Sequence, residues 1–260
     1  MKLRNVWIIW AKETKIAFAS FAAYAAFTCF LFVSGYLFWA IVYSLAMNSS
    51  NPFGMSDVDV MQFVFRSLVQ NLTLILLFLT PLFTMRLFSE EKRTRTIELL
   101  FSYPISDLDL MLGKFFGAIT LMAFIVLPTL LYPLFLQLKH LAQIQWPVIF
   151  VQYLGMFLMG GLYISVGTWI SSLNENTGTS FVITLGVLLM LWMLSWGINR
   201  FSTIKIAKIL HQFSILIHFV NFSKGVLSIP DLSFYLLFIF FFQFLTYQVL
   251  QSRVWQGAKE

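Results

Sequence analysis

Leu74-Ile75-Leu76-Leu77-Phe78-Leu79 places six large apolar side chains in succession. A strand of a membrane barrel alternates apolar and polar residues over about ten positions, and this run does not alternate. It is apolar on every face, as a helix surrounded by hydrocarbon must be. Outward from the run the same character holds over residues 68–85, close to the roughly 20 residues that cross a bilayer as a helix. Five more such stretches lie at 18–46, 115–138, 148–170, 180–198 and 232–250. The sequence predicts an all-α integral membrane fold of six spans.

Composition agrees. With 59% hydrophobic and 11% charged residues and a mean hydropathy of +0.83, the chain has too little polar surface to cover a water-soluble globule of 260 residues. The net charge of +6 does not point to nucleic acid, because the basic residues flank the spans, where anionic lipid headgroups account for them. The first apolar run is long and has no small-residue cleavage site after a short core, so it is expected to stay as an anchor. Ahead of it, residues 1–17 are basic and weakly amphipathic. Trp7, Trp10, Thr14 and Ala17 share one side, and Arg4, Lys12 and Lys15 another, which predicts a helix lying in the membrane interface. Cys29, the single cysteine, has no partner in the chain and reads as a packing residue.

Eleven Lys and Arg fall on the side of the two termini and six on the other, so both termini are expected in the cytoplasm. Residues 86–114 then form a cytoplasmic loop. Within the six stretches there is no Asp, Glu, Lys, Arg or His, which argues against ion-coupled transport, where the coupling ion needs a counter-charge inside the membrane. The chain also lacks a G-x-x-x-x-G-K-[ST] phosphate loop; Gly113-Lys114 has neither the earlier glycine nor the hydroxyl after it. No H-E-x-x-H or G-x-S-x-G motif is present, so no catalytic residue is assigned. His211 and His218 are seven residues apart with no carboxylate or third ligand close in sequence, and they read as interfacial polar residues rather than a metal pair. No metal or cofactor site is predicted.

The charged loop has its own pattern. Mixed charges from Glu90 to Glu98 favour a water-exposed helical extension of span two, and Ile97, Leu99, Leu100 and Phe101 form an apolar knuckle before Pro104. Ser106 then suits the cap of a new helix, with Asp107 and Asp109 at its positive dipole end. Physics alone leaves two readings: a partner-binding element of apolar anchors with a charged rim, or a solvated connector.

Phe88-Ser-Glu-Glu-Lys-Arg-Thr-Arg-Thr-Ile-Glu-Leu-Leu, followed by Tyr103-Pro-Ile-Ser and Leu112-Gly-Lys, resembles the membrane subunits of ABC-2 type transporters. So do Ser171-Ser-Leu-Asn-Glu-Asn-Thr-Gly and Phe219-Val-Asn-Phe-Ser-Lys-Gly-Val-Leu-Ser-Ile-Pro-Asp. The likeness is strongest to permeases associated with bacterial gliding motility and similar small exporters. It implies the six-span, type V exporter-like architecture in a bacterial inner membrane. The 86–114 loop would carry a coupling helix that contacts a separate ABC ATP-binding subunit, which binds Mg-ATP. Glu90, Glu91, Arg95, Thr96, Ile97, Glu98, Leu99, Leu100 and Phe101 are the coupling candidates. Relatives typically have glycine where this chain has Arg95, a change that would stiffen the bend or add a salt bridge to the partner.

The resemblance also implies a dimer with a second permease copy or a paralogue, and a path to which spans two and five contribute. Asn71, Thr73, Thr80, Ser180 and Thr184 are the polar candidates there, although hydroxyls also satisfy helix backbone. Small-residue patterns at Ala19, Ala22, Ala23 and Ala26, at Gly113 and Gly117, and at Gly161 and Ser165 permit close helix approach, either within the chain or between copies. Residues 199–231 predict an interfacial or re-entrant segment, in which Phe219, Phe222 and Gly225 serve as an outer gate or as packing. Any substrate-capturing domain outside the cytoplasm must come from an auxiliary subunit. The aromatic, uncharged interior suits lipids, hydrophobic peptides or lipid-facing surface equally. Two functions stay open: ATP-driven export, and a mechanical device acting on an envelope partner.

Overall fold

The computed structural model describes residues 3–48, 57–96, 105–138, 144–198 and 214–257. Among these there is no strand. Helix α1 (Leu3–Ala19) turns at Ser20 into α2 (Phe21–Asn48), and α3 (Asp57–Thr84) is followed by a turn and the short α4 (Ser89–Arg93). Then come α5 (Asp107–Val126), a 3-10 turn (Leu127–Leu130), α6 (Leu131–Leu138), α7 (Trp146–Leu173), α8 (Thr177–Ile198), α9 (Ile215–Ser223) and α10 (Ile229–Gly257). Six segments are long and apolar enough to span a membrane: Ala23–Ser44, Gln62–Arg93, Asp107–Leu138, Trp146–Leu173, Thr177–Leu194 and Ile229–Ser252. The chain is a multi-pass, all-helical membrane protein.

Helix α7 is the axis of the bundle. Every residue from Met159 to Thr168 is buried. Its glycines let neighbours sit against the backbone: Met122 of α5 lies over Gly160, Thr84 of α3 over Gly167, and Phe222 of α9 over Gly155. Gly161 faces Ile239 of α10, and Gln243 one turn further along α10 donates to Thr168 Oγ1 at 3.2 Å. The small residues at Gly161 and Ser165 therefore serve packing within the chain.

The outer spans carry apolar surface. Phe32, Tyr36, Trp39 and Tyr43 point outward from α2, as do Val182, Met190 and Met193 from α8 and Leu237, Phe240 and Phe244 from α10. Cys29 is also exposed on α2, which corrects its reading as a packing residue: it lies away from Ala26, Phe30 and Ser34, the buried residues among those described on this span.

One helix start agrees with the sequence reading, and two features depart from it. The third span carries the Ser106 cap that the sequence predicts, its hydroxyl accepting from the Asp109 amide at 3.2 Å, so that its helix starts at Asp107, ahead of the apolar stretch at 115. It is interrupted at Leu127–Leu130 rather than continuous, since Pro128 lacks the N–H that an α-helix would use. The charged extension after span two is not wholly in water either, for Ser89 and Lys92 are buried.

Candidate functional site

The polar residues concentrate where the chain enters and leaves the 97–104 segment. On the entering side, residues 85–88 turn out of α3 and α4 follows. Ser171, in the last turn of α7, organises this turn. Its hydroxyl accepts from the amides of Phe88 (3.1 Å) and Ser89 (3.2 Å) and donates to the Met85 carbonyl (3.1 Å). Ser89 Oγ donates to the Ser171 carbonyl at 3.0 Å and lies 2.6 Å from Ser180 Oγ at the start of α8. Lys92 Nζ donates to the Ser172 carbonyl. A short helix with few internal bonds is thus fixed to the ends of two spans by its buried side, while Glu90 and Arg93 keep a polar side outward.

On the leaving side, α5 and α1 pack along one another. Gly113 makes room for Ile9, whose Cγ2 lies 2.6 Å from where a Cβ would stand, and Gly117 makes room for the stem of Glu13. Asn5 Nδ2 donates to Asp109 Oδ2 at 3.3 Å and Trp10 Nε1 to Thr120 Oγ1 at 2.8 Å. The face of α1 turned to the protein therefore centres on Val6, Ile9 and Glu13, whereas Trp7 is exposed. The Gly113 and Gly117 pair serves this internal contact.

Lys114 joins the two sides. Its ammonium is 3.0 Å from Glu13 Oε1 and 2.9 Å from Glu91 Oε1, donates to the Leu87 carbonyl at 2.6 Å, and lies 5.2 Å from the centre of the Phe88 ring. Lys12, half exposed, closes the cluster 3.5 Å from Glu91 Oε1. Two carboxylates and two ammoniums balance. Lys114 is 1% exposed, so its desolvation has to be met by these partners. Buried charge thus stands within the third helix, beside the apolar stretch that the sequence reading begins at 115.

The predicted coupling residues divide. Ile97, Glu98, Leu99, Leu100 and Phe101 lie outside the described residues. Glu91 turns inward to Lys114, while Glu90, Arg95 and Thr96 are on the outer side. Arg95 has φ +56°, the left-handed conformation that glycine adopts without cost. The Thr94 and Thr96 hydroxyls bond each other at 2.9 Å and reach back to the carbonyls of α4, tightening the turn.

The path candidates differ in their surroundings. Asn71 is exposed and donates to its own helix at Ser67, and Thr73 does the same at Gln70. Ser180 belongs to the Ser89 contact. Thr80 and Thr184 are fully buried, and among the described residues their hydroxyls have no hydrogen-bond partner.

At the opposite end, Phe219 and Phe222 are buried and Gly225, at φ +77°, turns the chain after α9. Gln152 of α7 donates to the Ser223 carbonyl at 2.8 Å and Gln70 of α3 to Ser223 Oγ at 3.1 Å. The reading of His218 as lacking a nearby carboxylate is corrected. Asp231, at the start of α10, stands 2.6 Å from its Nδ1 and takes a second bond from Asn221 at 2.7 Å. His211 lies outside the described residues, and among those described no group of His, Cys, Asp and Glu is arranged to hold a metal ion.

Sequence reasoning missed Glu13 and Lys114 as partners and the serines as a cluster. The one local signal was the glycine pair flanking Lys114, which marks a close helix neighbour without saying which. A family model described as "ABC-2 family transporter protein" matches residues 9–253. No curated protein matches the chain.

Proposed function

Because the chain belongs to the ABC-2 transporter family, we propose that it is the membrane subunit of an ATP-driven exporter in a bacterial cytoplasmic membrane. It works as a dimer, with a second copy or a paralogue, and with separate ATP-binding subunits that hold Mg-ATP. Both termini face the cytoplasm. The excess of Lys and Arg on that side supports this orientation, as does the gathering of α1, both legs of the 86–114 loop and the α7–α8 corner at one end of the bundle.

The observation that carries the reading is the double anchoring of the loop's entering leg, through Ser89 to α7 and α8 and through Glu91 to α5. A segment so tied delivers a push on its tip to three spans at once, whereas a solvated connector would absorb it. Ile97, Glu98, Leu99, Leu100 and Phe101, which follow this leg in the sequence, make the contact with the ATP-binding subunit, together with Glu90, Arg95 and Thr96. Helices α3 and α8 line the path, with Thr80 and Thr184 as hydroxyls available to it when the helices part. Phe219, Phe222 and Gly225 close its outer end.

Co-expression with an ABC ATP-binding subunit and purification in detergent tests the reading. A stable complex that hydrolyses Mg-ATP is expected. Failure of any ATP-binding subunit to co-purify with the intact, folded chain contradicts it.

A further inference from the structure

Lys114 occupies a position that an apolar side chain could fill at less cost. A buried ion pair gains little net stability over a hydrophobic replacement of the same size, because both charges lose their water. What it provides is direction: the ammonium is satisfied only while both carboxylates and the carbonyl stay around it. Those partners come from three places. Glu13 is on α1, Glu91 on the short helix leading into residues 97–104, and Leu87 in the turn before it. Asn5, Ile9 and Trp10 hold α1 along α5, the other leg of the same loop. Helix α1 therefore bridges both legs, and Ser20 alone separates it from α2, with the Ser20 amide bonded to the Ala17 carbonyl at 3.1 Å.

On the basis of the function proposed above, we infer that Lys114 is a positioning residue that makes the N-terminal helix a driven part of the transporter. Displacement of α4 by the ATP-binding subunit moves Glu91. The shared ammonium passes the movement to Glu13, so α1 and, across the Ser20 corner, span one follow the stroke. Without the link, α4 still moves together with α7 and α8 while α1 rests along α5.

The test uses the full chain in complex with its ATP-binding subunit, in a Cys29→Ser background. One pair of spin labels at Lys15→Cys and Ser233→Cys reports α1 against the opposite end of the bundle, where Ser233 is exposed; a second pair at Arg93→Cys and Ser233→Cys reports α4. Distances are measured without nucleotide and with Mg-ATP trapped by vanadate. The expected result is a nucleotide-dependent shift for both pairs with the native link. In Glu13→Gln, which leaves Lys114 compensated by Glu91, and in Lys114→Met, the α1 shift is lost and the α4 shift is kept. An α1 shift that persists in Glu13→Gln overturns the inference, as does loss of both shifts in that variant. Absence of any α1 shift in the native-link complex during ATP turnover overturns it too while leaving the proposed function standing. Failure of the ATP-binding subunit to assemble with the native-link chain removes both.

Discussion

Gly113 has space for a hydrogen and nothing larger, since Ile9 fills the position its Cβ would take. Gly113→Ala forces α1 off α5 and is predicted to destabilise the protein by about 1–3 kcal/mol, as overpacking does. Gly186→Ala, with nothing within 4 Å of the new methyl, is the matched control; it should change stability by no more than about 0.5–1 kcal/mol, in the stabilising direction. Thermal unfolding of the two variants in one detergent checks the difference. Arg95 is the opposite case, a bulky residue where the backbone takes φ +56°. Arg95→Gly relieves a strain of about 1–2 kcal/mol and should hold or raise the melting temperature, whereas the β-branched Arg95→Val should lower it. Both substitutions remove the charge, so their difference isolates the backbone.

Ser171 shows how one side chain sets the geometry of an element. Helix α4 has five residues and cannot be stable alone, so its orientation comes from the two amides and one carbonyl that the Ser171 hydroxyl satisfies. Ser171→Ala leaves those buried groups without partners at a cost of about 1–3 kcal/mol. Hydrogen exchange at Phe88 and Ser89 should accelerate by at least tenfold. Ser233→Ala, whose exposed hydroxyl bonds only its own helix, should leave these amides unchanged. Unchanged exchange in Ser171→Ala would mean that α4 is held by its Ser89 and Lys92 contacts rather than by the Ser171 hydroxyl.

For the whole molecule, what the sequence made legible was what is local in it. Six apolar stretches, the Ser106 cap and the basic first helix are each written in consecutive residues, and hydropathy and cap chemistry act at that range. Lys114 was passed over because its carboxylates are 101 and 23 positions away. Asp231 was not matched to His218 for the same reason, as it arrives from a different helix. The amphipathic pattern of α1 gave its existence but not its docked side, which Gly113 and Gly117 select. The bundle that results gives α7 the interior, with 67% of its span buried, and leaves α2 and α8 at 17%. The central claim is that residues 97–104, framed by this anchored end, are where an ATP-binding subunit takes hold. Replacing Glu98, Leu99 and Leu100 together by alanine tests it most directly, with binding of the purified ATP-binding subunit as the readout. The account predicts at least a tenfold loss of binding while the variant stays monodisperse and melts within a few degrees of the parent; undiminished binding by the folded triple variant would contradict it.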